Sequence, residues 1–243
     1  MSTAAILVIG NEILSAKVRD ENGPYLAREL RGLGVELRRI ETVPDEVPLI
    51  VDALRRCLAG AAWVFTSGGI GPTHDDVTIA AVAEAFGRKV VHDPRIIALL
   101  EGRYGARMNA ARRRLAEVPE GARVEFHEGH LFPVISLENV VILPGVPSLL
   151  QEGFGRIKDR FRVAPIFGRA LYFAEGEGEL AEHLDATVAK FPSVAIGSYP
   201  RFDVCDHRVK VTFDGRVEGD VVNAVAYLKS RVKPLREGEV PAL

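Results

Sequence analysis

The sequence predicts an α/β protein: a doubly wound, mostly parallel sheet, followed by a small C-terminal α+β domain. Short apolar segments alternate with helical patterns through the first two-thirds of the 243 residues, an order typical of right-handed βαβ crossovers. Three of the four strand-like segments in this region are almost continuously apolar, as expected where helices cover both faces of a parallel sheet. The order of predicted strands and helices changes at about Pro165, so we expect one domain over residues 1–163 and a second over 164–243.

The elements of the first domain follow from apolar runs and from helical periodicity. Gly34 and Gly87 come directly after two of the helical patterns and are natural C-terminal stops. The predicted strands are Ala4–Gly10, Val35–Val43, Ala61–Gly68 and Asn139–Gly145. The predicted helices are Asn22–Leu33, Leu49–Leu58, Val77–Phe86, Pro94–Glu101, Asn109–Leu115 and a closing helix over 146–161.

The second domain is predicted to be a small open-faced sheet with helices on one side. Its elements run in the order βαββα, which suits that architecture. They are strands at 167–174, 193–200 and 207–215 and helices at Glu179–Lys190 and Gly219–Val232. The tail after Lys233 is polar, and we expect it to be loose.

Composition narrows the class of protein. The formal net charge is −2 and there is no long run of lysine or arginine, so we expect no nucleic-acid partner. Cys57 and Cys205 are too few for a disulfide framework, which favours a cytoplasmic location. No signal peptide or membrane-spanning pattern is found, so no membrane partner is expected.

Unusual residues lie at the carboxyl end of each predicted strand of the first domain. In a parallel sheet these ends meet at one edge, where open α/β folds place their ligand crevice. The sequence therefore predicts one ligand site built from distant segments. These segments are Gly10–Glu12, Pro44–Glu46, Ser67–Pro72 and Pro144–Gly145.

The stretch "FTSGGIGPTHDDVTIAAVAEAFG" (Phe65–Gly87) places a glycine-rich turn before a helix. Glycines permit positive φ and bring amide N–H groups close to a ligand, so the turn suits a phosphate. Asp75 and Asp76 would repel that phosphate unless a divalent cation bridges them, since hard cations prefer oxygen ligands. Alternatively, one aspartate hydrogen-bonds an amine-bearing ring. For Asp76, capping the helix is at least as good an explanation as ligand contact, whereas Asp75 is harder to explain as a cap.

Other candidates leave similar alternatives open. Glu12 suits contact with a ligand or a metal ion, while Asp20 and Asn22 precede a helix and can cap it. Asp45 fits a turn, a cap or a ligand contact equally well. Thr73 and Thr78 can satisfy local backbone groups, and for the basic stretch 107–114 a solvated arginine face is favoured over a phosphate site. The turn is neither a Walker A loop nor a Rossmann fingerprint.

The motifs "GNEILSAKVRDEN", "VPDE", "SGGIGPTHDDVT" and "LPGVP" resemble those of the MoaB/Mog molybdopterin-binding-like domain, in the form found at the N-terminus of CinA-type proteins. "FPVISLENVVILPGVPSLL" and "IGSYPR" are similar to the molybdopterin-binding-like domain of FAD synthase. The departures are Ala16 where glycine is usual, Glu21 where threonine is usual, and "GHLFPV" (Gly129–Val134) where CinA has "GxAPG". The last favours the FAD-synthase-like branch. No match to the amidase domain of CinA or to the FMN-adenylating domain of FAD synthase is found in the sequence, so neither of those activities is assigned.

The resemblance implies a small-molecule ligand, either a nucleotide or a pterin, and a homo-oligomer. Asp45 and Asp76 match the two aspartates that matter in Mog-type enzymes, and Glu12, Asp20 and Asn22 match the family's first signature. From the strand ends and the resemblance together, the predicted ligand-binding residues are Gly10, Glu12, Asp20, Asn22, Ser67, Gly68, Gly69, Gly71, Pro72, Thr73, Thr78, Pro144 and Gly145.

Three functions are compatible with these residues. The first is hydrolysis of a nucleotide pyrophosphate, of the FAD or ADP-ribose type, with Mg, Mn or Co as divalent metal. For it, the catalytic candidates are Asp76, Asp75 and Asp45, and the metal candidates are Glu12, Asp75 and Asp76. The second is molybdopterin binding or adenylyl transfer during cofactor assembly, and the third is a non-catalytic module that senses a nucleotide.

Overall fold

The computed structural model describes residues 2–128, 132–202 and 206–239. Within them the chain divides into two compact units, the first ending at Val163 and the second beginning at Ala164. Cys205 and the first three residues of the "GHLFPV" segment lie outside the described ranges. No described helix is both long and apolar enough to cross a membrane.

The first unit is built on a six-stranded sheet in the order β2-β1-β3-β8-β7-β6. Four neighbouring strands, β2, β1, β3 and β8, are parallel to one another. At the edge beyond β8, the strands β7 and β6 are added in antiparallel orientation. A separate antiparallel pair is formed by β4 and β5. The elements are β1 (Thr3–Ile9), α1 (Asn11–Leu14), α2 (Asn22–Gly32), β2 (Glu36–Val43), α3 (Val47–Gly60), β3 (Trp63–Ser67), α4 (Thr78–Ala85), β4 (Val90–His92), α5 (Pro94–Tyr104), α6 (Ala110–Arg114), β5 (Glu117–Pro119), β6 (Arg123–Glu125), β7 (Val134–Leu137), β8 (Val140–Leu143) and α7 (Pro147–Ile157).

Helices cover both faces of this sheet, and the central strand β1 shows why the apolar runs are continuous. Its residues from Ala4 to Ile9 are all buried. Alternate side chains enter two different cores: Leu7 packs with α3 and α4, whereas Ile6 packs with α2 and α7. Both faces of the strand therefore require apolar residues, and the predicted doubly wound fold class is confirmed.

Several short elements of the first unit were not predicted. The strands β4 to β7 have only three or four residues each, too few for a clear alternation of apolar and polar positions. The strand predicted at Asn139–Gly145 begins at Val140, because Glu138 and Asn139 form a two-residue turn between β7 and β8. Glu138 adopts a positive φ of 49° there, which is uncommon for a residue other than glycine.

The second unit contains β9 (Phe167–Phe173), α8 (Glu177–Lys190), β10 (Val194–Pro200), β11 (Val209–Gly215), α9 (Glu218–Lys229) and β12 (Arg236–Glu239). The strand order is β10-β11-β9-β12, with all pairs antiparallel. This βαββαβ arrangement is the ferredoxin-like one. Apolar residues from β9, β11 and both helices form its core.

The expectation of a loose tail after Lys233 is wrong for β12. This strand pairs with β9, with Arg236 opposite Tyr172. The guanidinium of Arg236 lies 3.5 Å from the centre of the Tyr172 ring, within the range of a cation–π contact. A four-residue polar edge strand has no apolar pattern that would identify it in the sequence. It forms by pairing with residues more than 60 positions away, so the local sequence does not predict it.

Candidate ligand site

The carboxyl ends of the four parallel strands meet at one edge of the first unit, as the sequence predicted. The N–H of Gly10 donates to the carbonyl of Val43 at 3.1 Å, and the N–H of Gly68 donates to the carbonyl of Leu143, also at 3.1 Å. The loops after β3 and β8 are so close that a Cβ on Gly145 would lie 3.3 Å from the Cα of Gly68. Segments from across the first unit therefore share one small region.

The turn after β3 requires glycine at two positions. Gly68 and Gly69 have φ values of 103° and 66°, a region that residues with a Cβ adopt at a cost. A Cβ on Gly68 would stand 2.2 Å from the carbonyl oxygen of Ile9, and one on Gly69 would stand 2.3 Å from Thr78 Oγ1. The predicted positive φ is thus confirmed at both residues. Close approach to the backbone at Gly68 and to a side-chain hydroxyl at Gly69 adds a second requirement.

Thr78 secures this turn from the start of α4. The side chain is fully buried. Its hydroxyl donates to the carbonyl of Gly68 at 2.8 Å, and its N–H donates to the carbonyl of Gly69 at 2.9 Å. Thr78 was predicted either to satisfy local backbone groups or to bind the ligand. The structure supports the first role, because both of its donors are bonded to backbone carbonyl groups.

Asp76 does not cap α4, contrary to that expectation. Its Oδ1 accepts a hydrogen bond from the N–H of Gly71 at 2.6 Å. Its Oδ2 accepts from the N–H of Thr73 at 2.8 Å and from the Thr73 hydroxyl. The carboxylate therefore closes the turn on itself, and two N–H groups that were expected to hold a phosphate are already used. Within the described ranges, no group accepts a hydrogen bond from the N–H of Gly69 or Ile70.

The sequence offers both Asp20 and Asn22 as caps of α2, and in the structure only Asp20 has that role. Oδ1 of Asp20 accepts from the N–H groups of Asn22 and Gly23 at 2.9 and 3.0 Å, so Asp20 serves the first turn of α2. Asn22 is not a cap: it is 6% exposed, and its Nδ2 donates to Ser67 Oγ at 2.9 Å and to the Gly145 carbonyl at 2.7 Å. It therefore connects α2 to two strand ends.

Asp45 and Glu12 meet at the short helix α1. Oδ2 of Asp45 accepts from the N–H of Asn11 at 2.7 Å, so a residue after β2 satisfies the first N–H of α1. The Glu12 side chain is exposed and folds back over Gly10, where a Cβ would stand 2.7 Å from its carboxylate. Ala16 follows α1 with a φ of 55°, so this loop keeps a left-handed position even though alanine replaces the usual glycine.

Two cavities adjoin these residues, and Glu12 lines both. The larger, about 630 Å³, is bordered by the glycine turn, by Asp76 and by Pro144 and Gly145. The other, about 580 Å³, is lined by Glu12, Asp45 and Asp75 together with Asn11 and Lys17. Six predicted site residues line neither cavity: Gly10, Asp20, Asn22, Ser67, Thr73 and Thr78. Four of them are buried, whereas Asp20 is partly exposed and Thr73 is exposed.

The apolar wall of the larger cavity was not predicted as part of the site. It includes Ile96 of α5, Phe132, Ile135 of β7 and Leu149 of α7. Such residues look like ordinary core residues in a sequence, and only their position beside the glycine turn marks them. The same cavity is bordered by Val146 and Pro147 at the start of α7, where no side chain caps the helix and the helix dipole favours an anion.

The three predicted metal ligands do not form a preassembled centre. Among the described residues, no group of three or more His, Cys, Asp or Glu side chains is placed to hold a metal ion. Both carboxylate oxygens of Asp76 are engaged by the turn, whereas Glu12 and Asp75 face the same open cavity. Mg²⁺ is commonly bound by one or two carboxylates plus substrate phosphates, so these two residues fit a cation that arrives with its substrate.

Together the edge, the turn and the cavities define a ligand-binding α/β domain of the doubly wound class. Residues 5–162 match the family model described as "Probable molybdopterin binding domain", and the chain belongs to this family. Residues 165–236 match a second model, "FAD synthase, middle domain". The predicted resemblance is confirmed for both units.

Relatives of both predicted kinds are found. The chain is 34% identical to a CinA-like protein of Gemmatimonas aurantiaca over 96% of its length, and 32% identical to a probable FAD synthase of Caenorhabditis elegans over 87%. It spans only 59% and 46% of these two proteins. The crystal structure of CinA from Thermoplasma acidophilum, a protein of unknown function, is also similar. The match covers 66% of this chain and 98% of the CinA chain, with 28% identity and a TM-score of 0.61.

Proposed function

We propose that the first unit binds a nucleotide pyrophosphate of the FAD or ADP-ribose type and hydrolyses its diphosphate with the help of a divalent cation. The observation that carries this proposal is the lining of the 630 Å³ cavity, where one wall offers backbone N–H groups and another is apolar. A diphosphate joined to a flat ring needs both.

The phosphate end is held by the glycine turn. The N–H groups of Gly69 and Ile70 are unused within the described ranges, and both residues line the cavity. Amide groups in a glycine turn, next to a helix N-terminus such as that of α7, favour an anion. The ring then lies against Phe132, Ile135 and Leu149, since apolar walls with a few polar groups are typical of cofactor sites.

Glu12 and Asp75, which line one cavity, would hold Mg²⁺, Mn²⁺ or Co²⁺. The cation, when bound, neutralises the diphosphate and polarises a phosphoryl group. Water then attacks one phosphorus atom, the bond from phosphorus to the bridging oxygen breaks, and the water proton passes to a carboxylate or to solvent. The products of FAD would be FMN and AMP.

The other two aspartates have a different role in this proposal. Asp76 keeps the glycine turn in shape and Asp45 fixes the start of α1, the helix that carries Glu12. We assign both as positioning residues. A hydrogen bond with the Thr73 side chain lowers the pKa of the exposed Asp75, which makes it a weak base at neutral pH. Most of the rate enhancement therefore comes from the cation and the amide groups.

The direct test is fluorescence of released FMN from purified chain with FAD and Mg²⁺, Mn²⁺ or Co²⁺. We expect Glu12→Gln and Asp75→Asn to lower kcat by about 10²-fold, the lower range for loss of one catalytic group. Glu21→Gln is the matched control, because Glu21 is an exposed carboxylate that lines neither cavity. Unchanged rates in the first two variants, or full activity in excess chelator, would contradict the proposal.

Pterin binding is the second candidate, and the family description of the first unit favours it. In that case the apolar wall receives the pterin and the glycine turn its phosphate. Protein isolated from a host that makes molybdopterin would then yield a fluorescent pterin after oxidation and would release no FMN from FAD. Binding without turnover would appear as a shift in thermal unfolding with nucleotide alone.

A further inference from the structure

Arg114, the last residue of α6, contacts the loop that carries the acidic pair. Its guanidinium donates to the carbonyl oxygen of Thr73 and, at 3.1 Å, to that of Asp76. The two carbonyls bracket His74 and Asp75, whose side chains are 98% and 58% exposed. One side chain from a distant helix thus holds both ends of a four-residue loop.

This loop is held from two directions. The Asp76 carboxylate binds N–H groups of the turn, and Arg114 binds the carbonyl groups. A guanidinium is planar and presents several donors in a fixed fork, so it can satisfy two carbonyls at once. A lysine has a single nitrogen on a flexible stem and does not reproduce that geometry.

The neighbouring arginines of the "ARRR" sequence make different contacts. Arg112 donates to the carbonyl of Arg107 and lies 4.5 Å from the centre of the Tyr104 ring. Arg113 pairs with the exposed Glu101 at 3.2 Å. The expected solvated arginine face is therefore right for Arg113 and wrong for Arg114, which is half-buried against the loop.

We propose that Arg114 is a positioning residue, which fixes the 73–76 loop so that Asp75 faces the cavity it shares with Glu12. The part that concerns catalysis rests on the proposed function. The mechanical part does not, because it concerns only how the loop is held. Two measurements separate them.

The first measurement needs no ligand. Hydrogen exchange of the Gly71 and Thr73 amides is compared in Arg114→Ala, Arg113→Ala and the unaltered chain. We expect exchange to be about tenfold faster in Arg114→Ala alone, because loss of a hydrogen bond from a charged group changes an equilibrium constant by roughly that factor. Urea unfolding of each variant verifies that the rest of the first unit is intact, and Arg114→Lys replaces Arg114→Ala if the latter does not fold. Equal exchange in all variants would overturn the proposal.

The second measurement is FAD hydrolysis. Arg114→Ala is expected to lower kcat at least tenfold with little change in KM, and millimolar guanidinium ion is expected to restore part of it. Arg113→Ala should have the kcat of the unaltered chain, and added guanidinium ion should not change it. A normal kcat in Arg114→Ala despite fast loop exchange would overturn the catalytic part. If the unaltered chain releases no FMN, the proposed function fails, and hydrogen exchange alone decides whether Arg114 holds the loop.

Discussion

The side-chain Nδ2 of Asn22 donates a hydrogen bond to the carbonyl oxygen of Gly145 at 2.7 Å, across 123 positions of the sequence. The same nitrogen donates to Ser67 Oγ at 2.9 Å, and both contacts are shielded from water because Asn22 is 6% exposed. One buried amide therefore ties the start of α2 to the ends of β3 and β8. This relationship holds Gly145, which lines the larger cavity, beside the end of β3.

Asn22→Ala should destabilise the first unit by about 1–3 kcal/mol, because it leaves the buried Ser67 hydroxyl and the Gly145 carbonyl without this donor. Urea unfolding measures the change in the free energy of unfolding. Glu21→Ala is the control, since Glu21 is the exposed neighbour in the same turn and should change it by less than about 0.5 kcal/mol. Equal effects of the two substitutions would show that the amide bonds contribute nothing.

Gly69→Ala should cost more stability than Gly87→Ala, although the two glycines have nearly the same φ, 66° and 64°. A Cβ meets nothing within 4 Å at Gly87 but would stand 2.3 Å from Thr78 Oγ1 at Gly69. Gly87→Ala thus isolates the conformational cost, about 1–2 kcal/mol, and Gly69→Ala adds a steric clash. The free energies of unfolding in urea give both values. If they are equal, the turn relaxes to accept the methyl group.

The meeting of the four strand ends was predictable because it depends only on strand direction and topology. Continuous apolar runs identify parallel strands, and parallel strands place their carboxyl ends at one edge. The glycine turn was predictable for a similar reason, since closely spaced glycines indicate positive φ. These inferences use short-range patterns, and the structure agrees with them at Gly68 and Gly69.

What could not be predicted depends on contacts between distant residues. Asn22 resembles a helix cap in the sequence, and only its bond to a carbonyl 123 residues away reveals its role. Arg114 looks like its two arginine neighbours until α6 is placed beside the loop. The sequence leaves Asp76 as a helix cap, a ligand contact, a metal ligand or a catalytic residue, because it does not show which way a turn folds back on a carboxylate.

Asp76→Ala should destabilise the first unit, whereas Asp75→Ala should not. The Asp76 carboxylate accepts from the backbone of Gly71 and Thr73, so its removal should cost about 1–3 kcal/mol. Asp75 is exposed, and its loss should change the free energy of unfolding by less than about 0.5 kcal/mol. Loss of activity in Asp76→Ala would then reflect a collapsed turn. Unchanged stability in that variant would return Asp76 to the list of direct catalytic candidates.

The stability of α5 should depend on pH through Asp93. Its Oδ1 accepts from the Arg95 N–H at 2.8 Å, and its Oδ2 accepts from the Arg95 guanidinium at 2.6 Å. The hydrogen bond from the Arg95 side chain, against the opposing effect of partial burial, holds the pKa of Asp93 below its ordinary value, and the N–H groups of the first helical turn act in the same direction. A carboxylate with a lowered pKa stabilises the folded state above the ordinary pKa and loses that contribution as pH falls through the folded one.

The comparison of the original chain with Asp93→Asn isolates this charge, since asparagine can still cap a helix. The original chain should be the more stable at pH 7. The difference in the free energy of unfolding between the two chains, measured with urea, should shrink as the pH falls below about 4, the ordinary pKa range of aspartate. Asp159→Asn is the control: Asp159 forms an exposed pair with Arg162, and such pairs contribute little at any pH. If the difference in the free energy of unfolding stays constant or grows in acid, the Arg95 contact does not favour the ionised carboxylate. A lowered pKa in the folded state requires that difference to shrink as the pH falls.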